Sequence, residues 1–395
     1  MPILPARPPI LASLAMAGIL LWPIPRDGIG AEPGGRAEQA ILPPNLAPAP
    51  APPPPQVPPG PPRAPVPAPI SEGTLRVMQE AAAPPSVKAS IRQARERVQA
   101  NRLTFQVGFT SASTRTLSQL AGTRPPPDLK AAAALQNRVA DSELARHPKL
   151  LVARARLVSA GVVADPTLAK FDWSQLDVVG SVKDQKFCGD CWDFATVGVF
   201  ESMYAIRNGA RDNLLDLSEE QLLRCNTESP KGTCCGGWWG FDFIKDSGLV
   251  GNVKLPYASG SVECLGGQLS AGVPGCDPSL PGRRYKATTW GYVSAANEVP
   301  TPAQIKQALC EHGPLIAAVN VTDQFQHYTS GLFDEQDPGE INHAVMIVGW
   351  NQLGWIVRNS WGPGWGQAGY INIAFDSNKI GFGAAWVEPV IFAGN

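Results

Sequence analysis

The distribution of cysteine along this chain of 395 residues divides it into two physically different regions. All eight cysteines lie between Cys188 and Cys310, whereas the first 160 residues contain none and hold most of the prolines. A proline-rich region without cysteine cannot build a large cross-linked core. The second half of the chain, which is also rich in Trp and Gly, is therefore expected to hold the main folded domain.

The first 31 residues predict a signal peptide. Arg7 precedes an apolar run at residues 10–22, and Pro23, Pro25 and small residues follow the run. A membrane-spanning helix needs roughly 20 apolar residues, so this run is short for a span. An uncleaved anchor or a buried helix is the alternative. Export would make the protein secreted or periplasmic, in a compartment where disulfides persist.

Two further regions precede the cysteine-containing part. Residues 32–71 are mostly Pro and Ala, a composition that favours extended polyproline II and predicts a disordered spacer. Residues 72–164 are rich in Ala, Arg, Gln and Leu but poor in large apolar residues, so they predict helices that pack onto a partner rather than an independent domain. The expected helices cover 72–83, 86–103 and 128–161, with prolines between them and a short strand within 104–112.

From about residue 165 the pattern predicts an α+β domain. Apolar spacing after Cys191 indicates a helix that ends at Gly209. Residues 343–350 and 355–361 form a hairpin pattern around the turn Asn-Gln-Leu-Gly, and another alternating strand covers 369–375. If the turn is correct, Trp350 lies opposite Trp355 and Asn359 opposite Met346. Helices followed by an antiparallel sheet suggest two lobes.

Three of these positions suit thiol chemistry. Cys191 would stand at a helix N-terminus, where unpaired N–H groups favour a thiolate. His343 begins a strand, and the hairpin brings Asn359 to the same end, so that the three side chains suit the roles of nucleophile, base and orienting group. Cys188 and Cys191 also have the spacing of a redox dithiol or of half a zinc site. The dithiol would leave the His and Asn unexplained, and the zinc site lacks a second spaced pair.

Four motifs then resemble the papain-like cysteine peptidases, the cathepsin family: DQKFCGDCWDFA, CCGGWW, INHAVMIVGW and VRNSWGPGWGQAGYINI. The resemblance implies a mainly helical lobe and an antiparallel β-barrel-like lobe, with the active-site cleft between them. It also implies that Cys191 is the nucleophile, His343 the base, Asn359 the orienting residue and Gln185 an oxyanion-hole donor, without cofactor or metal. The expected organisation is signal peptide (1–31), spacer (32–71), propeptide-like helical region (72–164) and peptidase domain (165–395).

The resemblance implies two disulfides and a set of substrate-contacting residues. It pairs Cys188 with Cys234 and Cys225 with Cys264, although adjacent Cys235 is an alternative partner for Cys188. The pairing of Cys235, Cys276 and Cys310 stays open. The expected substrate-binding residues are Gly189, Gly236, Gly237, Trp238, Ala318, Asn342, Ala344, Trp361 and Ala385.

The sequence departs from the family at Lys186, Asp190 and Asp193, where the family has glycine, serine and a small residue. Two carboxylates beside the nucleophile compete with a thiolate for the positive field of the helix, so we hypothesise that they raise the pKa of the thiol. The alternative is that both carboxylates face solvent and are screened.

The expected function is hydrolysis of peptide bonds by an endopeptidase made as a latent precursor, cut near residues 160–170. Its expected partners are peptide or protein substrates and its own N-terminal region as inhibitor, and a monomer is expected. A net charge of −1 gives no general attraction to nucleic acid or anionic membranes, and no later stretch is apolar enough to span a membrane. Alternatives are a ligase or transpeptidase on the same fold, or a thiol-disulfide oxidoreductase.

Overall fold

The computed structural model describes residues 71–147, 158–159, 162–209, 215–226 and 232–390. The chain divides into one unit at 1–67 and another at 68–395, and every described residue belongs to the second. The predicted signal peptide and, apart from Ser71, the predicted spacer lie outside the described residues.

Helices dominate the first part of the described chain and strands the last part. The α-helices are α1 (Glu72–Ala82), α2 (Pro85–Ala100), α3 (Leu117–Leu120), α4 (Leu129–Arg146), α5 (Cys191–Asn208), α6 (Glu219–Cys225), α7 (Phe241–Asp246), α8 (Pro302–His312) and α9 (Asp323–Gln326). The strands are β1 (Gln106–Val107), β2 (Val158–Ser159), β3 (Val162–Val163), β4 (Phe171–Asp172), β5 (Cys264–Leu265), β6 (Gln268–Leu269), β7 (Ala287–Tyr292), β8 (Leu315–Val319), β9 (Tyr328–Ser330), β10 (Leu332–Phe333), β11 (His343–Trp350), β12 (Gly354–Arg358), β13 (Tyr370–Ala374) and β14 (Phe382–Pro389).

The N-terminal helical region packs onto the rest of the unit, as its composition predicts. Helix α2 begins at Pro85, where a missing N–H costs nothing in the first turn. The predicted strand within 104–112 is reduced to β1, which pairs antiparallel with β9. Helix α4 ends at Arg146, so the helix predicted to reach residue 161 is too long, and β2 and β3 form a small hairpin at 158–163.

Helix α5 is the central element of the helical lobe. It begins at Cys191 and ends before Gly209, which has φ +64°, so both predicted ends are confirmed. Every residue from Cys191 to Ala205 is buried, because the helix packs against β11 and β14 of the sheet and against α6. A helix that is buried on all sides needs apolar residues around its circumference, which explains its long apolar sequence.

The second lobe is built on one eight-stranded sheet of mainly antiparallel strands. Its order is β10-β13-β12-β11-β8-β14-β7, with β4 paired to the end of β11. Strands β8 and β11 are buried at every position, as expected for strands covered on both faces. Strand β7 lies at one edge of this order, and β11 at its centre carries His343 at its first position.

The register of the β11–β12 hairpin is partly as predicted. Trp350 lies opposite Trp355, but Met346 lies opposite Arg358 instead of Asn359. The pairing shifts between Ile347 and Gly349, so a β-bulge adds one residue to β11 and displaces the register by one. The predicted position opposite Met346 is therefore wrong.

Three disulfides join segments of the chain between Cys188 and Cys276. Cys188 pairs with Cys234, as the family resemblance implies. The predicted Cys225–Cys264 pairing is wrong, because Cys235 takes Cys264. Cys234 and Cys235 occupy the centre of a tight turn between Thr233 and Gly236, so their sulfurs reach different partners. Cys225 then pairs with Cys276, and Cys191 and Cys310 remain free.

Candidate active site

The thiol of Cys191 lies at the first turn of α5, fully buried and outside any disulfide. Its sulfur accepts a hydrogen bond from the backbone N–H of Ala344 at 3.4 Å. Because Ala344 follows His343, this contact joins the N-terminus of α5 to the start of β11. Cys188 is held in its disulfide with Cys234, so the CxxC pair is not a dithiol in this structure.

The imidazole of His343 is oriented by Asn359. Its Nε2 lies 2.8 Å from Oδ1 of Asn359, and the indole of Trp361 packs 4.7 Å from the imidazole ring, centre to centre. Both His343 and Trp361 are fully buried, so the indole shields the hydrogen bond from water. Nδ1 of His343 has no hydrogen bond of good geometry to any described residue.

Gln185 is also buried, and its side-chain amide is held by three hydrogen bonds. Its Nε2 donates to the carbonyl of Cys188 at 2.8 Å and to the carbonyl of Leu120 at 3.2 Å. Its Oε1 accepts from the hydroxyl of Ser360 at 2.7 Å, which fixes the amide so that Nε2 is the donor. The amide can therefore hold a peptide carbonyl oxygen close to the nucleophile.

The cleft is occupied by residues 120–124 of the N-terminal region. The N–H of Gly122 and the hydroxyl of Thr123 lie 3.4 and 3.3 Å from the sulfur of Cys191. Gly237 N–H donates to Gly122 at 2.8 Å, and Arg124 N–H donates to Gly237 at 2.9 Å. The bridge between Thr123 and Gly237 is parallel.

Most other predicted substrate-binding residues lie around this segment. The backbone carbonyl of Asn342 accepts from the backbone N–H of Thr123 at 2.8 Å. A Cβ atom at Gly122 would lie 1.8 Å from the carbonyl oxygen of Gly189, and one at Gly189 would lie 2.6 Å from the carbonyl oxygen of Cys234. Gly236 has φ +123°, a backbone conformation that favours glycine. Four further predicted residues are buried: Trp238, Ala318, Ala344 and Ala385.

Sequence reasoning did not identify the segment that fills the cleft. Leu120, Gly122 and Thr123 each contact a predicted site residue, yet the surrounding sequence is an unremarkable stretch before three prolines. Ser360 was also missed, although its place beside Asn359 was the available signal. The N-terminal region was predicted to pack onto a partner, but the residues that enter the cleft were not predicted.

Comparison with known proteins identifies the family. Residues 167–390 match the family described as papain family cysteine protease. The chain belongs to this family. It is 33% identical over 241 residues to digestive cysteine proteinase 3 of Homarus americanus, covering 58% of this chain and 68% of that protein. It is 34% identical over 228 residues to ananain of Ananas comosus, covering 55% of this chain and 59% of that protein.

Solved structures share the fold over a larger part of the chain. Digestive procathepsin L 3 of the Tenebrio molitor larval midgut superimposes with a TM-score of 0.55 at 23% identity, covering 82% of this chain and 95% of that chain. A recombinant stem bromelain precursor gives 0.54 at 24%, covering 81% and 94%. The predicted papain-like fold is confirmed, and the protein is a cysteine-type peptidase.

Burial of Cys191 raises the pKa of its thiol, and the hydrogen bonds from Thr123, Ala344 and Gly122 only partly oppose this increase. Burial also lowers the pKa of His343 to about 4, against the opposing effects of Asn359 and the Leu120 carbonyl. Both shifts favour a neutral thiol beside a neutral imidazole while residues 120–124 cover them. The covered site therefore disfavours an ionised pair of thiolate and imidazolium.

The three departures from the papain-family pattern have structural consequences. Lys186 takes a left-handed conformation, φ +58°, where the family has glycine. Asp190 and Asp193 are completely buried, so the alternative in which both face solvent is wrong. Asp190 accepts from the hydroxyl of Tyr257 at 2.9 Å, whereas neither carboxylate oxygen of Asp193 has a hydrogen-bond partner among the described residues.

Burial raises the pKa of both carboxyl groups well above the ordinary value. For Asp193, the neighbouring carboxylates add to the effect of burial, and Lys183 opposes it; these carboxylates are Asp190, Glu219 and Glu220. The fold therefore favours a protonated, neutral Asp193. Whether the two aspartates also raise the pKa of the thiol stays a prediction, which alkylation rates against pH for wild type and Asp193→Ala would test.

Replacement of Asp193 by alanine is expected to stabilise the protein at pH 7. The folded state binds a proton more tightly than the unfolded state, so the contribution of Asp193 is most favourable below about pH 4 and is lost as pH rises. Removing a buried carboxyl without a partner should raise the free energy of unfolding by about 1–3 kcal/mol at pH 7 and by less at pH 4. Urea unfolding at both pH values measures this.

The matched control for this prediction is Asp246→Ala, because the Asp246 side chain at the end of α7 is 69% exposed. Its free energy of unfolding should change by no more than about 0.5 kcal/mol. An Asp193→Ala protein that is less stable than wild type at pH 7 would show that the fold depends on the carboxylate.

Proposed function

We propose that the protein hydrolyses peptide bonds through an acyl-enzyme on Cys191. In this reaction Nδ1 of His343 takes the thiol proton, and the thiolate attacks the carbonyl carbon of the scissile bond. The C–N bond then breaks, and His343 returns its proton to the departing amine. Water activated by the same imidazole releases the acid from the sulfur, while Asn359 keeps the ring in position.

The proposed oxyanion hole consists of the side-chain amide of Gln185 and the backbone N–H of Cys191. Its support is the peptide carbonyl of Leu120, which already accepts from Nε2 of Gln185 at 3.2 Å. The same segment passes over the sulfur two residues later, at Gly122. This passage of a peptide through the cleft is the single observation that carries the proposal, because a substrate needs the same two contacts.

We infer that the N-terminal region keeps the precursor latent. Residues 120–124 exclude substrate from Cys191, and their burial of the site favours the neutral thiol and imidazole. The family resemblance implies that the inhibitory segment runs through the cleft in the direction opposite to a substrate. The parallel bridge of Thr123 to Gly237 supports this direction. The related structures titled as a procathepsin and a bromelain precursor support the same inference. Removal of the region by cleavage near residues 160–170 would then open the cleft.

Gly122→Ala tests this latency. A Cβ atom at residue 122 would overlap the carbonyl of Gly189, so the inhibitory segment must shift away from Cys191. A steric cost of about 1–3 kcal/mol weakens inhibition roughly 5- to 150-fold. We expect the intact variant precursor to hydrolyse a small fluorogenic peptide, which the intact wild-type precursor does not.

Gly73→Ala is the matched control, because a Cβ atom at residue 73 in α1 meets nothing within 4 Å. This variant should remain as latent as wild type, with gel analysis confirming that no precursor has been cut. If intact Gly122→Ala stays fully latent, residues 120–124 are not the inhibitory segment.

We propose endopeptidase action because the cleft admits a chain from both ends. The segment enters from α3, crosses Cys191 and leaves past Gly237 toward α4, without a turn inside the cleft. A peptide blocked at both termini should therefore be cut at an internal bond, whereas an exopeptidase would leave it intact. Release of free acid rather than transfer to an added amine separates hydrolysis from ligation.

We propose that the protein is exported. Three disulfides in the described residues support an oxidising compartment, and no described helix is long and apolar enough to cross a membrane. N-terminal sequencing of the protein recovered outside the cytoplasm would locate the cut that the predicted signal peptide requires.

A further inference from the structure

Helix α4 covers an edge of the main sheet. Strand β7 ends the sheet order, and its outward backbone groups meet side chains of α4 instead of another strand. Oδ1 of Asn137 accepts from the N–H of Tyr292 at 2.7 Å, and Nδ2 of Asn137 donates to the carbonyl of Tyr292 at 3.1 Å. Gln136 donates to the carbonyl of Trp290 at 2.8 Å.

These contacts reproduce the hydrogen bonds of a strand. In an antiparallel ladder, a paired residue exchanges both its N–H and its C=O with the residue opposite, as the amide of Asn137 does with Tyr292. Tyr292 and Trp290 are two residues apart, so their outward groups lie along one edge. Release of α4 would leave these groups without their partners, and such an edge is a template for another extended chain.

A cavity of about 320 Å³ lies beside this edge, between α4 and the aromatic side chains of the peptidase domain. On the peptidase side its wall includes Trp238, Trp239, Trp290 and Tyr292, and Trp238 donates to the hydroxyl of Tyr292 at 2.8 Å. On the other side the lining comes from the N-terminal region and includes Leu135 and Gln136, and Asn226 and Asp242 add polar groups. Departure of α4 would therefore expose the aromatic wall.

The edge is continuous with the cleft. Trp238 directly follows Gly237, which bonds the segment in the cleft, and Trp238 contacts Tyr292 on β7. The N-terminal region runs from Cys191 past Gly237 to β7 in the direction of its C-terminus. A substrate bound in the opposite direction would carry its upstream, N-terminal residues along the same path to β7.

We propose that the processed enzyme uses the edge of β7 and the adjoining aromatic surface of Trp238, Trp290 and Tyr292 to dock the extended substrate segment upstream of the scissile bond, with an apolar side chain against that surface. The proposal rests on the proposed function, since α4 must leave with the N-terminal region. The upstream segment would add its backbone to β7 at Trp290 and Tyr292, where Gln136 and Asn137 bind in the precursor.

Three peptides with one scissile sequence test this docking edge on enzyme processed from the full chain. The first spans only the cleft, the second adds about eight upstream residues with apolar side chains, and the third carries the same extension with alternate backbone amides N-methylated. Two or three added backbone hydrogen bonds should raise kcat/KM about tenfold for the second peptide, mainly through a lower KM. N-methylation removes the donors that would reach the carbonyls of Trp290 and Tyr292, so the third peptide should return to the value of the first.

Hydrolysis of the short peptide reports the proposed peptidase independently, so failure of that function is distinguishable from failure of the docking edge. Equal kcat/KM for all three peptides would overturn the docking proposal. So would a gain that survives N-methylation, because it would not depend on strand pairing.

Discussion

Replacement of Cys191 by alanine is expected to lower kcat/KM for peptide hydrolysis by about 10⁴-fold or more, because no other group can form the acyl-enzyme. The variant cannot process itself, so its precursor is cut by tagged wild-type enzyme that is then removed. Initial rates on a fluorogenic peptide measure the loss. Thermal unfolding of the variant should stay close to that of wild type, since the thiol makes only weak hydrogen bonds at 3.3–3.4 Å.

Cys310→Ala is the matched control for the nucleophile. Cys310 is the other free cysteine of the chain and is also buried, but it lies in α8, away from the start of α5. Burial raises the pKa of Cys310 to about 12, so it is a neutral thiol at neutral pH. Its replacement should leave kcat/KM within about twofold. Full activity of Cys191→Ala, or loss of activity only in Cys310→Ala, would contradict the assignment.

Gln185→Ala is expected to lower kcat by about 10²–10³-fold with a much smaller change in KM. In the proposed oxyanion hole, the donor of Gln185 would act on negative charge that exists only in the transition state, so its loss should hardly affect binding of the ground state. Steady-state kinetics of the processed enzyme separate kcat from KM. Equal losses in binding and turnover, or none in kcat, would argue against an oxyanion-hole role.

Ser360→Ala distinguishes the hydrogen-bond donor of Gln185 from the hydroxyl that orients it. This variant keeps Nε2 of Gln185 but removes the hydroxyl that orients the amide through Oε1. We expect a smaller decrease in kcat, about tenfold, because a less ordered donor still reaches the oxyanion. A Ser360→Ala defect as large as that of Gln185→Ala would indicate that the amide acts mainly by holding the local structure.

The sequence was sufficient for the elements that present the catalytic side chains. Apolar spacing located both ends of α5, and the turn after Trp350 placed it opposite Trp355. The bulge in β11 was not predictable, since an inserted residue within an apolar run leaves no change in alternation to detect. The bulge displaces the register at the His343 end by only one residue, and Oδ1 of Asn359 still lies 2.8 Å from Nε2 of His343.

Long-range pairing and burial were less predictable from the sequence. Cys234 and Cys235 offer two adjacent sulfurs, and only the turn between Thr233 and Gly236 determines which partner each reaches. The burial of Asp193 depends on elements far away in sequence, including Lys183 and Glu219, which face it in the fold. Aspartates in the first turn of a helix usually face water, so the local pattern could not decide between burial and exposure.

The N-terminal region was predicted as a helical partner, but its path was not. Glycine is needed at position 122 because two backbones approach each other closely there. Asn137 is needed because its amide bonds the edge of β7, a strand that is distant in sequence. Neither requirement has a local signature. Both depend on surfaces that exist only after the peptidase domain has folded, so reasoning from local pattern could not identify them.

The most direct test of the account is to map the cysteine that an epoxide inhibitor of papain-like enzymes alkylates, by mass spectrometry, before and after processing. We predict that Cys191 is the labelled residue, that labelling follows removal of the N-terminal region, and that the intact precursor is labelled far more slowly. Labelling at Cys310, or labelling of Cys191 at the same rate in the intact precursor, would contradict an active thiol covered by residues 120–124.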